Sequence, residues 1–447
     1  MTKLKVKKGN PFALFPLLVF VLLFIGTGIF TKDFSNMPLN VAILIAATIA
    51  LMMNRKETLS SKVETFTRGA GHPNIILMAI IFILAGAFSA VASGMGAVES
   101  TVNLGLSLLP TNLLMVGLFI IGCFISISMG TSMGTVVALA PIGIGIASQT
   151  GIPLPLAMAT VIGGAMFGDN LSMISDTTIA AVRTQNVKMK DKFKVNFLIV
   201  LPGAIITALI LGVITQGNTA TMSGDYQYNL LKILPYIAVF VAALLGAHVL
   251  VVLVGGTIFA GIIGMIDGSY SFGVFLQTVA KGIISMEDLA IIAILIGGVV
   301  EIIKHNGGID YLLYVIMGKI KSKKGAEFGI AGLVSMTNIA TANNTISIII
   351  AGPLAKSIAD EYDIDPRKSA SLLDMFASSW QGILPYGAQM LAAAGLAAIS
   401  PVSIIPYSFY PVLIGICGAV AILIGYPKFR QKDHEVKTDV TSTVEKN

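Results

Sequence analysis

Long apolar runs dominate the chain, and their lengths set the first reading. A helix needs about 20 apolar residues to cross a bilayer. On that ruler the pattern predicts spans near 12–30, 39–53, 74–92, 155–182, 196–216, 232–252, 253–269, 288–304, 368–393 and 406–425. Two further apolar blocks, 113–150 and 326–358, carry polar residues in their middles and read as re-entrant hairpins, which enter and leave on one side. The stretch 253–286 is the least regular, because Asp267, Gly268 and Lys281 interrupt it. The fold class is therefore an all-α polytopic membrane protein with about 10 spans plus the hairpins.

Charge placement supplies the topology. No Lys or Arg occurs between Arg68 and Arg183, or between Lys368 and Lys428. All of the 29 except Lys32, Lys232 and Lys281 fall in 1–11, 54–73, 183–195, 304–325, 356–368 and 428–447, segments that the hairpin reading places on one side. Cytoplasmic loops collect Lys and Arg, so both termini are expected in the cytoplasm of a multi-pass protein of the cell (inner) membrane. Composition agrees: 55% of the 447 residues are hydrophobic and 12% charged, against about 25% charged in soluble domains. The net charge of +6 is thus a topology signal and does not point to nucleic acid. Cys123 and Cys417 lie in apolar stretches and read as packing residues. The run Phe12–Phe30 is too long for a cleaved leader and reads as a retained span.

The chain also repeats. Shifted by 212 residues, the distance from Pro141 to Pro353, span 74 falls on 286 and span 196–216 on 408–428. Each half reads as span, hairpin, interrupted span, span. The first hairpin is flanked by cation-free loops and the second by Lys319–Lys324 and Lys356, so the halves are expected to be inverted in the membrane. That symmetry, with broken helices in matching places, points to a transporter whose site lies at the midplane. The expected organisation is N-terminal scaffold spans 1–73, repeat one 74–216, linking spans 217–287, repeat two 288–427 and a tail 428–447.

The breaks are where chemistry is expected. The first hairpin tip holds Thr131, Ser132 and Thr135 among glycines; the second holds Asn338, Thr341, Asn343, Asn344 and Thr345. Unwound backbone survives at membrane depth only where protein or a wet cavity satisfies it. Hard cations such as sodium prefer oxygen ligands. The half-helices that follow each tip would also direct positive dipole ends toward it.

The next segment, Gly163 to Thr178, carries Asp169, Asn170, Ser172, Ser175, Asp176 and Thr177 in a cation-free run. A carboxylate at bilayer depth costs at least ~2.5 kcal/mol unless an ion or proton compensates it. Two of them with hydroxyls nearby suit a site that trades a cation for protons. Asp169, Asn170, Ser172, Ser175, Asp176 and Thr177, with Thr131, Ser132 and Thr135, are the expected sodium ligands. The bland alternative for Asp176 is an ion pair with Arg183. The repeat mate offers Asp374, Ser378, Gln381, Tyr386 and Gln389, with Pro385 breaking the helix. With Asn338, Thr341, Asn343, Asn344 and Thr345 these are the expected solute or proton-coupling residues. Asp374 lies ~9 Å along a helix from Lys368, so an interfacial placement stays open. Trp380 reads as cavity lining or core, Glu301 and Lys304 as a structural pair, and His248 as a satisfied core residue.

The run Phe167-Gly168-Asp169-Asn170-Leu171-Ser172-Met173-Ile174-Ser175-Asp176-Thr177-Thr178 closely resembles the signature of the NhaC family of sodium/proton antiporters. Ala342–Thr345 and Gln381–Gln389 look like that family too, and the resemblance covers most of the chain from about residue 70. It implies inverted repeats with two re-entrant hairpins, sodium as coupling ion and no other cofactor. It also implies an elevator motion of the hairpin domain, usually in a dimer, so a homodimer is an expected assembly. Substrates vary within the family, from protons to organic acids and amino acids. The expected function is sodium/proton antiport, with sodium-coupled transport of an amino acid or small carboxylate as the alternative, favoured by the amides at the second tip. An intramembrane protease using Asp169 and Asp374 is disfavoured, because inverted hairpins have no role in peptide cleavage. A channel would share the architecture, but mid-membrane acids and broken helices suit a coupled carrier better.

Overall fold

The computed structural model describes residues 8–31, 37–108, 110, 113–173, 175–216, 227–245, 247–318 and 320–427. Lys3, Lys5, Lys7, Lys32, Lys319 and the tail 428–447 lie outside the described residues. Those described are predominantly helical, with no strand among them. The described residues open with a 3-10 turn (Pro11–Leu14), followed by α1 (Phe15–Val21), a π turn, α2 (Thr27–Thr31), α3 (Leu39–Met52) and α4 (Leu59–Ala70). The first half continues as α5 (Pro73–Gly94), α6 (Ala97–Leu108), α7 (Leu114–Met129), α8 (Ser132–Thr150), α9 (Leu154–Leu171), α10 (Asp176–Gln185) and α11 (Met189–Ile214). The middle holds α12 (Leu230–Leu244), α13 (Val249–Ile266) and α14 (Phe272–Ile284). The second half runs α15 (Glu287–His305), α16 (Gly308–Met317), α17 (Lys323–Thr341), α18 (Asn344–Glu361), α19 (Pro366–Gln381), α20 (Ala388–Ala397), α21 (Pro401–Ile404) and α22 (Phe409–Ile424).

Among the described residues six helices are long and apolar enough to cross a membrane, or seven if the pair Ala388–Ala397 and Pro401–Tyr407, bent by 101°, counts as one. The count is below the expected ten because 12–30, 39–53, 232–252 and 406–425 hold shorter apolar helices, Pro11–Phe24, Leu39–Met52, Leu230–Ala242 and Phe409–Ile424, and because the run 368–393 stops at Gln381 and restarts at Ala388. The run 155–182, counted as one span, is itself interrupted between Leu171 and Asp176. The expected boundary between 232–252 and 253–269 lies earlier, before Val249, where the ring of His248 caps α13 by accepting from the Leu250 amide at 3.3 Å. His248 is therefore an exposed cap and not the core residue expected. Three segments read as loops carry helices, α4 in 54–73, α6 in 93–112 and α16 in 304–325, and α14 lies in the irregular stretch 253–286 beyond the expected span 253–269. Each is shorter than a bilayer span, so a length ruler passes over it.

The helices that carry the polar breaks pack on one another. α9 lies against α7 and α8, α19 against α17 and α18, and α20 against α8. Close approach of α7 and α9 depends on Gly168: a Cβ there would sit 2.4 Å from the Ser126 Cβ and 2.5 Å from the Cys123 carbonyl. A second tie joins α17 to α19, where Lys368 Nζ meets Glu327 Oε2 at 2.7 Å with both side chains about 5% exposed. Glu301 and Lys304 pair at 3.4 Å as expected. Cys123 is buried and Cys417 half-buried, and both are free thiols.

Candidate functional site

Four chain breaks converge on one cavity of about 90 Å³. At the first, α7 ends on Gly130 in the left-handed region (φ 65°), and the Thr131 hydroxyl caps α8 by accepting from the Gly134 amide at 3.3 Å. At the second, α17 ends on Ala342, also left-handed (φ 52°), and the Asn343 side chain caps α18 by accepting from the Ile346 amide at 2.9 Å. The other two are the interruptions between α9 and α10 and between α19 and α20. Thr131, Ser132, Asp169, Ser175, Asp176 and Thr177 line the cavity from the first half. Asn343, Asn344, Thr345, Gln381 and Gln389 line it from the second. Asn74, Leu77, Met78 and Ile81 of α5 complete the wall; the sequence reading missed them, because α5 carries one polar side chain in an otherwise apolar face.

Asp169 sits at the centre of this arrangement and is 3% exposed. Its Oδ2 accepts from the Ser132 hydroxyl at 2.9 Å and its Oδ1 from the Ser175 hydroxyl at 2.5 Å. Ser175 and Thr177 share a further contact of 2.8 Å between hydroxyls. Gln389 Nε2 donates to Ser132 Oγ at 2.9 Å, and Gln381 Nε2 donates to Gln389 Oε1 at 2.8 Å and to the Ala342 carbonyl at 3.3 Å. A continuous polar chain therefore runs from Asp169 to the tip of the second hairpin. Asp176, the first residue of α10, is exposed; among the described residues it makes no ion pair with Arg183.

The remaining expected residues face elsewhere. Thr135 turns back to the Thr131 carbonyl at 3.0 Å, and Ser172 Oγ donates to the Ile127 carbonyl at 2.7 Å. Asn338 Nδ2 donates to the Ala377 carbonyl at 2.6 Å, Thr341 Oγ1 to the Asn343 carbonyl at 3.2 Å, and Tyr386 Oη to the Ile339 carbonyl at 2.9 Å. Ser378 is fully buried beside the α19 backbone. Ser172, Asn338 and Tyr386 thereby hold the hairpins against the interrupted helices. Trp380 is half-buried.

Asp374 and Asn170 belong to a second polar cluster behind the cavity. Lys192 Nζ pairs with Asp374 and also donates to the Asn170 carbonyl at 2.8 Å and Thr178 Oγ1 at 2.9 Å. Asn196 Nδ2 donates to the same Asn170 carbonyl at 3.0 Å and to Asp374 Oδ2 at 3.2 Å. Lys192 was counted with the cations of the loop 183–195. Instead it lies inside α11 with no exposed surface. Asp374 is equally buried.

The sequence profile of the Na+/H+ antiporter family matches residues 10–215 and 225–429. The chain belongs to the Na+/H+ antiporter family. It is similar to the Na+/H+ antiporter NhaC of Bacillus subtilis, 27% identical over 79% of this chain and 84% of that protein. It is also similar to the malate-2H+/Na+-lactate antiporter of Bacillus subtilis (23% identical; 92% and 94% covered) and to the arginine/ornithine antiporter ArcD of Halobacterium salinarum (24%; 82% and 83%). Among solved structures, the YdaH transporter of Alcanivorax borkumensis aligns with a TM-score of 0.42 at 15% identity, covering 92% of this chain and 99% of that one. Family and apolar helices together make this chain a multi-pass membrane antiporter, a secondary transporter, as its relatives are.

Proposed function

We propose that this member of the family exchanges sodium ions for protons on the Asp169 carboxylate, with the cavity at the four chain breaks as the transport site. The observation that carries the reading is the setting of Asp169. Its carboxylate is taken out of water, held by two hydroxyls from two different breaks, and joined through Gln389 and Gln381 to the opposite hairpin tip. A buried carboxylate needs a compensating cation or proton. The same oxygens suit sodium, with Ser132, Ser175 and Thr177 supplying hydroxyls beside it. Asp176 provides a second carboxylate at the rim of the site.

The two halves are read as inverted repeats, each with a re-entrant hairpin and an interrupted span. Element bounds support this. Shifted by 212 residues, Ser132–Thr150 falls on Asn344–Glu361 and Asp176–Gln185 on Ala388–Ala397. Gly130 then falls on Ala342, cap Thr131 on cap Asn343, and Asp169 on Gln381. Contacts follow the same shift: Ser126 Oγ donates to the Ala165 carbonyl at 2.6 Å, as Asn338 Nδ2 donates to the Ala377 carbonyl at 2.6 Å. On this reading α7–α11 and α17–α22 form a moving body around the midplane site, both termini are cytoplasmic, and the protein sits in the cell membrane as a dimer.

Proteoliposomes loaded with a pH dye and pulsed with sodium test the proposal. Sodium-driven proton flux that is lost in Asp169→Asn is the expected result. Full flux in that variant across pH 6–9 would sink it. A second reading, sodium-coupled exchange of a small organic solute, is favoured by one observation: the amides of Asn343, Asn344, Gln381 and Gln389 give the cavity more hydrogen-bonding capacity than a bare cation needs.

A further inference from the structure

Lys192 carries an ammonium into a buried nest of oxygens between α9, α10 and α19. Its three N–H bonds meet three kinds of oxygen: the Asn170 carbonyl at 2.8 Å, the Thr178 hydroxyl at 2.9 Å and the Asp374 carboxylate. An ammonium has no fourth donor, so it is saturated. The Asn170 carbonyl is one of the last of α9, which a helix leaves unpaired at its negative dipole end. A carbonyl at a helix C-terminus, a hydroxyl and a carboxylate are also the oxygens that hold a hard cation inside a membrane protein.

The nest is held together without the lysine. Asn196 Nδ2 donates to the Asn170 carbonyl at 3.0 Å and to Asp374 Oδ2 at 3.2 Å, and Thr178 Oγ1 donates to Asp374 Oδ2 at 3.4 Å. Ser371 in turn donates to Asn196 Oδ1 and fixes its amide. Oxygen capacity is left over. Asp374 Oδ1 and, one helical turn on, Ser378 Oγ are buried with no partner among the described residues. An ion that takes more than three ligands can use them; an ammonium cannot. The nest is separate from the Asp169 cavity, whose lining includes none of Asn170, Thr178, Lys192, Asn196 and Asp374.

We propose that this nest is a second monovalent-cation site whose occupant is the tethered ammonium of Lys192. The side chain neutralises Asp374 from within the chain, so the exchangeable cation is left to the Asp169 cavity. Shortening the side chain should vacate the nest and turn it into a site for a free sodium ion. The inference goes beyond the exchange proposed at Asp169 and does not depend on it.

The test counts radioactive sodium bound at equilibrium by the full-length protein in detergent, alongside its thermal midpoint. Lys192→Ala should bind one more sodium ion per chain than the parent. Its midpoint should rise by about 5 °C or more as sodium replaces choline at constant ionic strength, beyond any rise in the parent. Adding Asp374→Ala to Lys192→Ala should erase both effects. Lys192→Gln keeps more of the packing and carries the same comparison, with the same extra ion expected, where the alanine variant fails to fold. A sodium count equal to the parent's overturns the inference, and so does an extra ion that survives the loss of Asp374. Both readouts are differences from the parent. A parent that binds no sodium therefore counts against the Asp169 site and leaves this comparison standing.

Discussion

Lys192 and Asp374, 182 residues apart in sequence, form an ion pair with side chains 1% and 0% exposed. The pair ties α11 to α19 directly behind the wall that carries Asp169. Removing one partner of a buried pair strands the other charge, at a cost of about 3–5 kcal/mol. Lys192→Met should therefore destabilise the protein by about that amount. Lys192→Met with Asp374→Leu should recover much of the loss, because the cavity is refilled without a charge. Thermal unfolding in detergent measures both. A double variant no more stable than the single one would show that the pair's neighbours, Asn196 and Thr178, need the ions in place.

A steric prediction concerns Gly168, one residue before Asp169. Its Cα faces Ser126 and the Cys123 carbonyl, where an added methyl would fall 2.4–2.5 Å from both. Overpacking of this kind costs about 1–3 kcal/mol. Gly168→Ala should lower the thermal midpoint and displace Asp169 enough to reduce sodium-driven flux. Gly255→Ala in α13, where a methyl meets nothing within 4 Å, should instead gain up to about 1 kcal/mol from helix propensity with flux unchanged.

The breaks were legible because their residues are poor at continuing a helix. Gly130-Thr131 and Ala342-Asn343 are where the sequence expected the tips, and the caps Thr131 and Asn343 are the residue types that end and start helices. Lys192 was not legible, because it shares a short segment with Lys188, Lys190 and Lys194 and composition cannot separate them. A periodicity signal was present. Lys192, Val195, Asn196, Ile199, Val200 and Gly203 recur at helical spacing and are the buried face of α11. The short helices α4, α6, α14 and α16 escaped because a span-length ruler discards amphipathic helices of 10–13 residues.

A pH dependence of stability follows from Asp267, at the loop between α13 and α14. Burial pushes its carboxyl up, but hydrogen bonds from Ser269 and Lys232 outweigh burial and hold it below the usual carboxylate range. Lys232 Nζ lies 3.1 Å from Asp267 Oδ2. A carboxyl with a depressed folded pKa stabilises fully above its unfolded value of about 3.9, and the contribution is lost as pH falls through the lower folded value. Asp267→Asn should thus be less stable than the parent at pH 6. The gap should close below about pH 4. A gap that persisted unchanged to pH 3 would assign the effect to packing.

The two hydroxyls on Asp169 offer the finest test of the transport site. Ser132 comes from the first hairpin and Ser175 from the interruption after α9, and they donate to opposite oxygens of one carboxylate. A hydrogen bond to a charged group is worth about 1.5–3 kcal/mol, or roughly 10- to 150-fold in affinity. Ser132→Ala should weaken sodium binding by about that factor, and it also cuts the polar chain, since Gln389 Nε2 loses its acceptor. Ser175→Ala removes one hydroxyl and leaves that chain intact. If the hydroxyls serve as sodium ligands, both variants should raise the sodium concentration for half-maximal flux, while the maximal rate with saturating sodium survives. If they only orient the carboxylate, the maximal rate should fall and the half-saturating sodium concentration should stay. Asp176→Asn is the reference. Its carboxylate sits exposed at the rim, so it should shift sodium affinity less than Ser132→Ala does. An Asp176 variant more damaging than Asp169→Asn would move the site from the buried carboxylate to the rim.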